Sequence, residues 1–286
     1  ISRLKVDALA NRYGAAVKDL NFSRPQPIQF ADGVTAYVAE ECVDADCFIN
    51  LPKLKTHFEA GMSVCLKNLI GCLVGQENKK KTHQSLAANI LNINKAIPPH
   101  LHIVDGLVAM EGLGPTRGRP LRMDTVIIGS DPFLLDLCCA HLACFDPAKV
   151  TTLKLAQDLG LLTRMHLEAV EALNLDSVRK TFKAPDPGLL ARFIHHPKRQ
   201  KFFLGLRNTH LFSYLASTGW FGNLLFKTGL RQDVFCKEEM ECSGLHVEET
   251  LCDGCGVCET VCPLGRFPAE ELKHAQPDCI HCLYCV

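Results

Sequence analysis

Leu101-His102-Ile103-Val104 and Thr125-Val126-Ile127-Ile128 decide the fold class. Both runs are short, apolar and rich in β-branched residues, the pattern of strands buried in a parallel sheet. Outward from them the chain alternates. Residues 85–97 carry apolar side chains at helical spacing and stop before Pro98-Pro99. Residues 34–39 (VTAYVA) and 47–51 (CFINL) read as further strands, and residues 2–13 as an amphipathic helix that stops at Gly14. Downstream, Asp131-Pro132 opens a helix reaching about Phe145, and Pro147 opens another that ends near Gly160. Strands alternating with helices predict an α/β fold with a layered, mostly parallel sheet over residues 1–160. The chain begins at Ile1, inside a helical pattern, so this domain is expected to be incomplete at its N terminus.

Composition bounds the function. The 286 residues are 47% hydrophobic and 22% charged, an ordinary globular balance. Lys+Arg and Asp+Glu number 31 each, which argues against a general nucleic-acid binder. No run of about 18 uncharged apolar residues suggests a membrane-spanning helix.

The neutral total hides a segregation. Residues 187–232 hold seven basic residues and no acid, and residues 236–286 hold ten acids against three bases. Residues 161–235 are therefore expected as a helical basic connecting segment. It carries an amphipathic run from 208 to 230 with Phe212, Tyr214, Trp220, Phe221 and Phe226. Three readings stand. The basic segment cradles the acidic tail, docks an acidic redox partner, or lies on an anionic membrane through residues 196–231.

Sixteen cysteines are many, and seven of them fall between 252 and 286. Cys252-x2-Cys255-x2-Cys258-x3-Cys262-Pro263 is followed by Cys279-x2-Cys282-x2-Cys285. Three thiolates at this spacing wrap one corner of an iron–sulfur cubane, while a cysteine before proline serves a neighbouring cluster. A structural zinc site, with four tetrahedral ligands, fits two three-cysteine runs poorly. Gly254, Gly256 and Gly265 permit close backbone approach. Cys42, Cys47, Cys65, Cys72, Cys138, Cys139 and Cys144 lack ligand spacing and read as core thiols.

Residues 236–286 are expected as a ferredoxin-type domain, because about the last 35 residues resemble a bacterial-type ferredoxin with two [4Fe–4S] clusters. The resemblance implies that Cys262, Cys279, Cys282 and Cys285 hold one cluster. Cys252, Cys255 and Cys258 would hold the other, whose fourth ligand falls past Val286. Cys236 or Cys242 could substitute. The domain is thus expected to be incomplete at its C terminus, and its oxygen-sensitive chemistry favours a cytoplasmic setting.

In the α/β part, KLKTH (53–57), KNLIG (67–71), His83 with Asn89, IVDG (103–106), AMEGLGPT (109–116) and GSDP (129–132) occur in order. This series resembles the domain of unknown function 362 family, whose members often carry ferredoxin-like clusters; the resemblance supplies no reaction. Each motif is expected where a strand gives way to a loop or helix, the ligand-binding edge of an open α/β sheet. Lys53, Lys55, His57 and Lys67 can gather around an anion, and Asp105 and Glu111 can bind a cation or act as a base. Gly112 and Gly114, with Thr116, can present N–H groups to phosphate or carboxylate. Against this, loop lysines are ordinarily solvated, and a glycine-rich loop without nucleotide-binding spacing is ordinarily a turn. Asp131 reads as a helix N-cap, and Asp136, one turn in, can face the site.

Three functions compete. The chain is an iron–sulfur oxidoreductase acting on a small anionic substrate. Alternatively, it is a non-catalytic electron carrier whose α/β domain recognises a redox partner protein. In the third, Asp105 and Glu111 carry non-redox, metal-assisted chemistry.

Overall fold

The computed structural model describes residues 6–115, 117–185, 220, 250, 252–260 and 262. Thr116, Cys279, Cys282, Cys285 and the basic stretch 187–232 apart from Trp220 lie outside the described residues, so the membrane and docking readings of that stretch do too. The chain divides into two compact units, Leu20–Asp233 and the pair Ile1–Asp19 with Val234–Val286. The second of these contains helix α1 (Val6–Arg12).

In the unit Leu20–Asp233, β1 (Pro25–Gln29) and β2 (Thr35–Ala39) form an antiparallel hairpin, followed by α2 (Glu40–Asp44). Then come β3 (Ile49–Asn50), β4 (Lys53–His57), β5 (Gly61–Ser63), α3 (Cys65–Asn68), α4 (Gly75–Thr82) and α5 (Leu86–Ala96). Two long strands, β6 (Leu101–Leu113) and β7 (Arg117–Gly129), precede α6 (Pro132–Leu142), α7 (Thr151–Asp158) and α8 (Arg164–Ala172).

The α/β layering is as expected, and the sheet is mixed. β6 is its axis. β3 and β4 lie parallel along one edge of β6, and β7 runs antiparallel along the other, with Ile103 opposite Ile128. β5 pairs antiparallel with β4. The parallel expectation thus holds for β3 and β4 against β6, and fails for the TVII run in β7. The reason is connection length. Parallel neighbours need a crossover of about a dozen residues or more. Only 114–116 join β6 to β7 and only 58–60 join β4 to β5, which forces hairpins. Asp105 and Glu111 therefore sit within a strand, not in loops beyond one.

Leu54 and Val104 of the sheet meet Leu135 and Leu142 of α6 and Leu153 of α7 in the main apolar core. A second cluster joins Ile28 and Val38 of the β1–β2 hairpin to Leu69, Leu73 and Ile93. The expected domain end at residue 160 falls inside this fold. Gly160, at φ 71°, only closes α7, and the chain then returns Leu162, Val170 and Phe182 to the same core as Leu54. At the other end, residues 1–19 group with the tail instead of the sheet. Among the described residues no helix is long and apolar enough to cross a membrane.

Candidate functional site

Strand alternation sets the first layer. Leu54 enters the core, and Thr56 donates through Oγ1 to the Gly112 carbonyl at 2.7 Å. Lys53, Lys55 and His57 consequently share the opposite face of β4. Lys53 forms an ion pair with Asp105 on β6, whose Oδ1 also accepts the Leu107 N–H at 3.1 Å. Both partners remain more than a third exposed, so the pair adds at most about 1 kcal/mol and chiefly fixes the two side chains. Lys55 is half-buried. Burial and then the Lys53 charge lower its proton affinity.

His57 is 4% exposed. Its Nδ1 accepts the backbone N–H groups of Glu59 at 3.2 Å and Ala60 at 3.3 Å. The ring proton must then sit on Nε2. Burial, followed by the charge of Lys67, pushes the pKa of His57 down to about 3, with Glu59 opposing. His57 is thus a neutral N–H donor across the neutral range, and not a base.

Lys67 reaches this group from α3, a helix of one turn pinned by buried polar side chains from three other elements. Asp136 of α6 accepts the N–H of Cys65 at 2.7 Å and of Leu66 at 3.4 Å. Asn50 of β3 donates to the Cys65 carbonyl at 3.0 Å, and Asn94 of α5 to the Leu66 carbonyl at 2.8 Å. Asn68 in turn donates to Asn50 Oδ1 at 2.7 Å. Burial lowers the Lys67 pKa to about 8, with Glu59 supporting the charge and Lys55 opposing it. Asp136 itself does not face the site; burial raises its pKa to about 7 against the two N–H bonds it accepts.

Glu59 was not singled out by the sequence. It stands on the β4–β5 turn, and its carboxylate meets His83 Nδ1 at 2.9 Å. Nothing in spacing reveals such a contact, because turn residues carry no periodicity. The structure thus brings Lys55, His57, Lys67, Glu59 and His83 into one electrostatic neighbourhood.

Other expected residues are engaged elsewhere. Glu111, 9% exposed, accepts the Lys183 N–H at 2.8 Å, and Gly112 donates to the Lys183 carbonyl at 2.9 Å. Together they tie the segment after α8 to the sheet. The Gly114 N–H donates to the Gly112 carbonyl at 2.8 Å, so both amide donors expected to face an anion are spent internally. Asp105 is engaged by Lys53 and Glu111 by the Lys183 N–H, so the two carboxylates serve different partners. Among the described residues no three His, Cys, Asp or Glu side chains are placed to hold a metal ion. Asp131 caps α6 as expected, accepting from Phe133 at 2.8 Å and Leu134 at 3.1 Å, and its other oxygen meets His166 Nε2 at 3.0 Å.

Cysteine placement divides the thiols. Cys65, Cys72, Cys138 and Cys139 are buried, as expected of core thiols, whereas Cys47 and Cys144 are exposed. Burial raises the thiol pKa of Cys138 to about 11 and that of Cys139 well above its ordinary value, so neither is a ready ligand. In the tail, Cys252 and Cys255 are exposed, and Cys258 and Cys262 half-buried. Gly254 and Gly256 take φ of 73° and 72°, with nothing within 4 Å of the space a Cβ would fill. These left-handed bends curl the backbone between the cysteines, and helix α9 (Val257–Thr260) follows at once. Reachable soft thiols on a curled, glycine-bent loop fit a [4Fe–4S] cluster in donor chemistry and backbone.

The fold and this segment define the class: an α/β domain coupled to an iron–sulfur-binding tail. Residues 1–141 match the family described as Domain of unknown function (DUF362), and residues 245–265 match a 4Fe-4S binding domain over a stretch that takes in Cys252, Cys255, Cys258 and Cys262. Over 130 residues, 43% of the chain, the sequence is 35% identical to the Thylakoid-associated protein sll1697 of Synechocystis sp.. The match spans 40% of that relative's length. No solved structure matches.

Proposed function

We propose that this chain passes electrons between [4Fe–4S] clusters in its tail and a small anionic substrate held at the β4 face. A cluster bound there supplies electrons one at a time. Cys252, Cys255 and Cys258 would hold one cluster; Cys262 with Cys279, Cys282 and Cys285 would hold a second. What supports the substrate reading is that Lys55, His57 and Lys67 lie within one another's electrostatic reach: two cations beside an imidazole whose proton sits on Nε2. Half-burial strengthens their pull on an oxyanion relative to surface lysines.

A second reading, an electron carrier whose α/β domain only recognises a partner protein, has its own support. Asp105, Glu111, Gly112 and Gly114 are all committed to bonds that hold the fold together. For place, the oxygen sensitivity of such clusters favours the cytoplasm. The relative's thylakoid association, together with the basic aromatic stretch 196–231, supports peripheral contact with an anionic membrane.

The test is anaerobic. Dithionite-reduced full chain, freed of excess reductant, is mixed with a panel of small carboxylates and oxyanions, and cluster absorbance is followed. Reoxidation by one member, lost in Lys67→Gln at unchanged iron content, supports the oxidoreductase. Reoxidation by none of them, alongside fast exchange with a ferredoxin or flavodoxin, favours the carrier.

A further inference from the structure

We propose that Glu59 and His83 form the proton-donating pair of the β4 site. This rests on the reading that the β4 face binds an anion. His83 caps the C terminus of α4 and keeps 36% of its side chain exposed, while the Glu59 side chain on the β4–β5 turn is only 12% exposed. A carboxylate facing Nδ1 at 2.9 Å can only accept, so the His83 proton on that side is fixed toward Glu59. Nε2 is left to give and take the proton in transfer. The buried carboxylate orients the ring, the arrangement by which a histidine acts as general acid.

The two imidazoles divide the work. His57 has Nδ1 closed by two backbone N–H groups and is locked as a neutral donor. His83 is partly exposed, and Glu59 links the two rings: its backbone N–H donates to His57 Nδ1 at 3.2 Å and its carboxylate meets His83 Nδ1 at 2.9 Å. The charged groups of that neighbourhood are Lys55 on β4, Lys67 on α3 and Glu59 itself. The lysines of α4 turn elsewhere: Lys79 to Asn21, Lys80 to Glu77, and Lys81 to the Thr35 carbonyl. After His83, Ser85 bonds Asp32.

This arrangement couples the proton to the ligand. An oxyanion bound beside the ring favours its protonated form. In the transfer the Nε2–H bond breaks, an O–H bond forms on the ligand, and the ring is left neutral for solvent to recharge. The ligand class is an oxyanion that gains a proton as it reacts.

The experiment uses the full chain, purified anaerobically and labelled with 13C at the histidine rings, titrated from pH 5 to 9 with and without inorganic phosphate as probe. His83→Gln identifies the His83 signal; if that variant does not fold, Glu59→Gln identifies it by selectively lowering its midpoint. Phosphate is expected to raise the His83 midpoint by roughly one unit in the parent chain, and by much less in Lys67→Gln. Phosphate that perturbs the His57 signal but leaves the His83 midpoint in place overturns the pair and leaves the anion site standing. Phosphate that moves neither overturns both.

Discussion

Asp136 Oδ1 accepts the backbone N–H of Cys65 at 2.7 Å, joining α6 to the first residue of α3, 71 positions earlier in the chain. The contact makes Asp136 a positioning residue. It does not face the anion group, yet it holds the single turn from which Lys67 projects. Asn50 and Asn94 complete the hold from two further elements.

Removing that carboxylate has a predictable cost. Asp136→Ala leaves two buried N–H groups without an acceptor and should lower stability by about 2–3 kcal/mol. Asp136→Asn keeps the shape but turns an amide N–H toward one of those donors, so it should recover only part of the loss. Urea denaturation of the three chains at one pH checks the order. Equal stability of parent and alanine variant would contradict the pinning role.

His57 gives stability a pH dependence whose sign is fixed by its burial. Its folded pKa, about 3, lies below the ordinary 6.5. Between these values the unfolded chain binds a proton that the folded chain refuses, so stability falls as pH drops through that window. At pH 4 this should cost about 3 kcal/mol of stability, and above pH 7 the cost vanishes. In His57→Gln this part of the acid sensitivity should disappear. Measuring denaturation midpoints of both chains from pH 4 to 8 isolates it, since other titrating groups are common to the two.

The β6–β7 turn offers a contrast between two glycines. A Cβ on Gly114 would stand 2.0 Å from the Thr56 carbonyl oxygen, a backbone atom that cannot swing away. Gly112 has open space around it but sits at φ 80°. Gly114→Ala should therefore destabilise by about 3 kcal/mol, and Gly112→Ala by only about 1 kcal/mol, the cost of the left-handed conformation. Thermal denaturation of the two variants tests the ranking, which would be wrong if Gly112→Ala were the weaker chain.

Much of this was legible in the chain, and the failures have physical causes. LHIV and TVII are strands because apolar, β-branched runs bury well. Their antiparallel pairing depends on the three-residue turn between strands far longer than the apolar runs, and Asp105, Glu111 and Arg122 disguised that length. KLKTH was expected where a strand gives way to a loop, and it is itself strand β4, whose alternation sets its two lysines and histidine on one face. The Lys53–Asp105 pair, the locking of His57 and the Glu59–His83 contact are long-range or turn-specific, and no spacing encodes them. Asp131 was readable because a helix cap is a local bond. Asp136 was readable only as an acid able to face the site, and it turns instead to a partner 71 positions away. Cys252, Cys255, Cys258 and Cys262 were the most legible residues of all, because ligand spacing is itself the signal.

The central claim is that the tail carries iron–sulfur chemistry. Anaerobically purified full chain should contain iron and acid-labile sulfide in equal amounts and show an EPR signal that appears on dithionite reduction. Cys258→Ala should lose iron while its α/β domain keeps its folded circular dichroism. Zinc in place of iron, or a colourless chain with neither iron nor sulfide, would contradict the claim.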